Sequence, residues 1–125
     1  MEFTGTHLKY LLCMYQMSSV HHEEMRLTEI ANKLGVKKAS VARIIGVFRD
    51  KELVDQQPYG KVRLTESGWR TAEQYLVYVH KLAECLVQTG LELTMPQAMD
   101  AACMLLPELP QKCIDSMQLR EVTFN

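Results

Sequence analysis

The chain has 125 residues, 47% of them hydrophobic and 23% charged, with a formal net charge of −1. That length and balance suit an ordinary globular chain able to bury a core, and they argue against a disordered polypeptide. No apolar run approaches the roughly 18 residues of a membrane span, and no basic flank precedes an apolar run at the N-terminus, so neither a span nor a secretory signal is expected. The four cysteines (Cys13, Cys85, Cys103, Cys113) are scattered without a paired spacing, which is the pattern of free thiols in a reducing cytoplasm.

The near-neutral total conceals a local excess. Between Lys33 and Arg70 there are nine cations and four anions, a net of +5, so the remainder of the chain carries −6. A basic face on an acidic body is the electrostatic footprint of a protein that neutralises a phosphate backbone.

In chain order, Leu8, Leu11, Leu12 and Tyr15 recur at helical spacing and predict a leading helix from about Phe3 to Ser19. The polar run from Ser18 to Glu24 is expected to break it and to leave His21 and His22 in an exposed loop. Thr28 is a candidate N-cap for a short helix that turns Ile30, Ala31 and Leu34 inward, and Gly35 supplies the turn that follows. The next helix, Lys37 to Asp50, sets Val41, Ile44, Ile45 and Phe48 at i, i+3, i+4 and i+7, with Lys37, Lys38, Ser40 and Arg43 opposite them. Two short runs, Leu53–Gln56 and Lys61–Leu64, then pair as a hairpin with Pro58-Tyr59-Gly60 at its tip.

This order predicts a mainly α chain: a winged helix-turn-helix with a small β-hairpin wing over residues 1–68, then a helical dimerisation and effector region over 69–125. The second helix of such a module has the diameter to lie in a DNA major groove. Arg43 is the candidate for a bidentate base contact, with Lys37, Lys38, Lys61 and Arg63 on phosphates, Ser40 as a further DNA-binding candidate on the outer side of the helix, and Tyr59 against a sugar or groove edge.

Thr65-Glu66-Ser67-Gly68 opens a long helix ending at Gly90, with Trp69, Ala72, Leu76, Val79, Ala83 and Leu86 along one stripe and Tyr75, Tyr78, Leu82 and Cys85 widening it. A face that broad predicts self-association. Thr94-Met95-Pro96-Gln97 is a capping-box pattern for a further helix that Pro107 must stop. Pro110 to Met117 suggests a last short helix, and Leu119 to Asn125 a loose or strand-like tail.

The succession of leading helix, winged helix-turn-helix, the long helix with Leu76-Val77-Tyr78-Val79-His80-Lys81-Leu82-Ala83-Glu84, and a short helix around Asp100 resembles the diphtheria-toxin-repressor family of iron- and manganese-dependent repressors, in its manganese-regulator branch. The resemblance implies a dimeric operator-binding repressor whose docking is controlled by a metal. It puts His80 and Glu84 on the long helix as ligands, with Asp100, Cys103 and Met104 at the short-helix positions and Thr6 and Lys9 at those of the leading helix. Cys103 and Met104 are soft donors, so a site of His80, Glu84, Asp100 and Cys103 suits Zn²⁺ or Cu⁺ better than Mn²⁺ or Fe²⁺. Lys9 puts an ammonium where a ligand belongs. It would act as a built-in switch by pairing with Asp100 or Glu84, in which case no metal is needed.

The function expected is therefore a cytoplasmic, DNA-binding transcriptional regulator, the expected partners being a double-stranded operator and a second copy of the chain. An enzyme is not expected, for want of a glycine-rich phosphate loop or a catalytic Ser/His/Asp spacing. The alternatives are a winged-helix regulator of the multiple-antibiotic-resistance type, sensing an apolar small molecule, and a winged helix used as a protein-interaction module.

Overall fold

A computed structural model describes residues 2–21 and 24–124, with side chains for 2–19 and 24–117. The elements are α1 (Gly5–His21), β1 (Glu24–Arg26), α2 (Leu27–Leu34), α3 (Lys38–Asp50), β2 (Val54–Gln57), β3 (Lys61–Leu64), α4 (Glu66–Gln88), α5 (Met95–Leu105) and α6 (Gln111–Phe124). Two compact units are present, residues 9–74 and residues 1–8 with 75–125. No helix among the described residues is long and apolar enough to cross a membrane.

The 9–74 unit is mainly helical with one small sheet. Its core holds Leu11, Met14, Met25, Ile30, Val41, Ile45, Phe48 and Val62, each almost fully removed from water. The i, i+3, i+4, i+7 set of α3 is buried as its spacing demands. Gly35 stands at φ 68°, and its N–H and that of Val36 both return to the Ala31 carbonyl, closing α2 and aiming the chain into α3.

The sheet is antiparallel, in the order β1-β3-β2, so the expected β2–β3 hairpin is present and β1 adds a third strand to it. Glu24 opposes Arg63, Met25 opposes Val62 and Arg26 opposes Lys61. β1 alternates exposed, buried, exposed, but three residues are too few for that alternation to register as a sequence signal.

Two other local expectations are corrected. α1 continues through the polar run to His21; Ser18 is buried and the Ser19 hydroxyl donates to the Gln16 carbonyl at 2.8 Å, satisfying itself inside the helix. His21 thus ends a helix, while His22 lies outside the described residues. Thr28 is not an N-cap: α2 begins at Leu27, directly after β1, and the Glu29 carboxylate accepts the Arg26 backbone N–H at 3.0 Å.

In the unit formed by residues 1–8 and 75–125, Phe3 meets Tyr75 edge-on at 5.4 Å, and Val79, Ala83, Ala98, Ala102 and Leu106 are fully buried. The expected capping box of α5 is made in both directions: the Thr94 N–H donates to Gln97 Oε1 at 3.0 Å and the Gln97 N–H to Thr94 Oγ1 at 3.3 Å. α5 gives way at Leu105 to a single 3-10 turn around Pro107. The tail differs from expectation, since residues 119–124 continue α6 as helix. The Val122-Thr123-Phe124 ending has strand propensity, but it follows a helix already nucleated over Gln111–Met117, and propagation is easier than nucleation.

Candidate nucleic-acid interface

α3 presents one apolar and one polar face. Arg43 is exposed on the side of α3 away from the buried Val41, Ile44, Ile45 and Phe48, while Lys37 and Lys38 are exposed at its N-terminal end, not opposite that face as expected, and Ser40 is half-buried. Lys37 is the N-cap residue, in extended conformation and without a side-chain cap; its carbonyl accepts the Ser40 and Val41 N–H groups. The open N-terminal N–H groups and two lysines make this end of the helix electropositive. Among the described residues, Lys37, Lys38 and Arg43 meet no carboxylate within ion-pair distance.

The wing places Tyr59 at its tip, 93% exposed and at φ 64°, a left-handed conformation uncommon for a non-glycine residue, followed by Gly60 at φ 72°. An aromatic ring held so far out of the protein has no packing role within the fold. Lys61 lies 3.8 Å from Glu24 and Arg63 3.9 Å from Asp55, long and exposed contacts of little energetic weight. Arg49 Nη1 donates to Gln56 Oε1 at 2.6 Å, tying the last turn of α3 to β2. That tie links helix and wing, and nothing in the linear spacing of Arg49 and Gln56 signals it.

α4 opens with its own brace. The Thr65 hydroxyl donates to the Glu52 carbonyl at 2.8 Å and accepts the Gly68 N–H at 2.9 Å, while the Thr65 N–H donates to the Leu53 carbonyl. Further along, Trp69 packs on Tyr15 with ring centroids 4.4 Å apart, and the Tyr15 hydroxyl bonds Glu73. Burial, with help from the Glu73 carboxylate, raises the Tyr15 phenol above its usual range and keeps it a donor.

The four metal-ligand candidates do not converge. His80 Nδ1 is 3.1 Å from Glu84 Oε1, one turn apart on α4, and both are half exposed. Asp100 is exposed on α5 and Cys103 is buried. Among the described residues no three His, Cys, Asp or Glu side chains are placed to share an ion, so His80, Glu84, Asp100 and Cys103 do not fit the metal that the resemblance implies. Lys9 is half-buried on α1 in the 9–74 unit, and Asp100 and Glu84 belong to the other unit. The Cys13 thiol is pushed up by burial, an effect that Lys33 only partly offsets, which leaves it protonated and a poor ligand.

The IclR helix-turn-helix domain model matches residues 19–58, which run from the end of α1 to the start of the wing tip. The chain carries a winged helix-turn-helix. No curated protein matches it. Among solved structures, IdeR of T. acidophilum is similar at 24% identity with a TM-score of 0.67, over 90% of this chain and 52% of that one. A hypothetical protein of Sulfolobus solfataricus, SSo2273, is similar at 23% identity and TM-score 0.65, over 92% and 86% of the two chains. The manganese regulator SloR is similar at 18% identity and TM-score 0.71, over 100% of this chain and 56% of that one. The chain thus spans about half the length of IdeR and SloR. At these identities the likeness is one of fold.

Proposed function

We propose that this protein is a sequence-specific DNA-binding transcriptional regulator that acts as a homodimer and represses by occupying an operator. The observation that carries the reading is α3: a helix with a buried apolar face, Arg43 exposed on the other, Lys37 and Lys38 exposed at its N-terminal end, none of the three within ion-pair distance of a carboxylate among the described residues, and a wing beside it. Lys37 and Lys38 bind backbone phosphates, Arg43 reads a base, and Tyr59 lies against the backbone at the wing tip. The IclR-domain match and the fold shared with IdeR and SloR support the same reading.

The dimer rests on apolar exposure. Val87, Leu91, Met95, Met104 and Leu105 are all exposed, and all fall between the end of α4 and the end of α5. Leu91 is 61% exposed and has little packing to lose, so Leu91→Glu is expected to keep the fold. Sedimentation is expected to show wild-type dimers at micromolar concentration and Leu91→Glu monomers with an unchanged melting temperature. A monomeric wild type would contradict the dimer.

Control by Mn²⁺ or Fe²⁺ is not part of this proposal, because the donor set does not come together. The test is DNA affinity after exhaustive chelation, titrated with Mn²⁺, Fe²⁺ and Zn²⁺. The expected result is binding before any metal is added and less than about a twofold change afterwards, well short of the roughly 5- to 150-fold of a coupled effector. A large increase with any one ion would return the protein to the metal sensors.

A further inference from the structure

We propose that the exposed face of the wing sheet holds a two-cation site, Arg26 with Lys61, that takes a backbone phosphodiester of duplex DNA. This extends the DNA-binding reading above and depends on it. Residues directly opposite across an antiparallel pair share a face, so the register sorts the outward side chains of the sheet into two rows. One row is Glu24, Arg63 and Asp55. The other, next to the wing tip, is Arg26, Lys61 and Gln57.

The two rows differ in charge. In the first, a single guanidinium lies between two carboxylates, and the row is net negative. In the second, two cations face each other across β1 and β3 with only an amide beside them. Like charges directly opposite in a sheet oppose folding, so this pair weakens the structure unless an anion occupies it. Lys61 has one distant counter-ion, Glu24 at 3.8 Å, and the exposed Arg26 guanidinium has no carboxylate partner among the described residues. Its backbone is fixed on both sides, by pairing with Lys61 in the sheet and by the N–H bond to Glu29 at the start of α2.

The position favours duplex DNA. The pair stands in the row beside the exposed Tyr59, on the same module as the α3 cations, so a backbone running past the tip meets both charges. Arg26 accordingly joins the interface from β1, an element with no evident role in a simple hairpin wing. Arg63, in the acid-flanked row, contributes less than either.

The experiment measures binding of the full chain to a fluorescein-labelled, mixed-sequence duplex of about 30 bp across a salt series. Wild type is expected to show a steep negative slope of log affinity on log salt. Arg26→Ala should shallow that slope by about one ion and weaken binding about fivefold at low salt. Arg26→Lys should restore both, and Glu24→Gln should tighten binding about twofold by freeing Lys61. Arg63→Ala should cost less than Arg26→Ala, and the surface control Arg70→Ala, whose partner is Glu66 at 2.6 Å, should cost nothing measurable. Thermal melts check that each variant is folded. An unchanged slope in Arg26→Ala with wild-type binding intact would overturn this site alone. Competition by inorganic phosphate at matched ionic strength would also overturn it, as a free-anion site. A wild type that binds no duplex at low salt would overturn the DNA reading itself.

Discussion

Gly68→Ala is expected to destabilise the 9–74 unit by about 3 kcal/mol or more, against the ordinary preference of a helix for alanine. A Cβ at Gly68 would lie 2.0 Å from the Leu53 carbonyl oxygen and 2.9 Å from its carbon. Both are backbone atoms, so no side-chain rotation relieves the contact. The same oxygen accepts the Thr65 N–H at 3.0 Å, and the Leu53 N–H donates to Phe48, so the segment that would have to move joins α3 to the wing. In an exposed helix the exchange gains up to about 1 kcal/mol. Here the close approach of helix and hairpin reverses the sign. Thermal unfolding checks it, with a fall in midpoint of about 10 °C or more expected; an unchanged or raised midpoint would show that the α4 start does not seat on Leu53 as described.

The second large effect is on recognition. Arg43→Ala is expected to cost about 1–3 kcal/mol of operator affinity and to relax discrimination at one base-pair position. Arg43 is exposed, stands one helical turn beyond Ala39, and has no carboxylate to hold it within the described residues. Its removal leaves the buried face of α3 untouched, so stability should not change. Substituting a lysine on phosphate, Lys38→Ala, should instead weaken all sequences alike. Affinity for a selected operator and for single-base variants separates the two behaviours.

How far the sequence revealed this arrangement depended on the length of each signal. α3 spans more than three turns, so the burial of Val41, Ile44, Ile45 and Phe48 and the exposure of Arg43 followed from periodicity, whereas Lys37 and Lys38, three and four residues before Val41, are exposed because they stand at the helix end. Thr94 and Gln97 were legible because a capping box is local. β1 was not, because three residues carry no period, and with it went the pairing that brings Arg26 beside Lys61. The helical tail was missed because the β-branched residues near its end weigh more in a short window than the helix preceding them. The metal candidates show the other limit. His80 and Glu84 meet because one helix holds them a turn apart, whereas joining them to Asp100 and Cys103 is a matter of tertiary packing that spacing does not encode.

The central claim, that α3 and the wing read duplex DNA, is tested most directly by selection of the purified chain from a pool of random-sequence duplexes. The expected result is enrichment of a two-fold symmetric site with half-sites about one helical turn or a multiple apart. Preference at one position per half-site should be lost when Arg43→Ala is selected in parallel. No enrichment over the starting pool, with equal affinity for selected and scrambled duplexes at moderate salt, would contradict it.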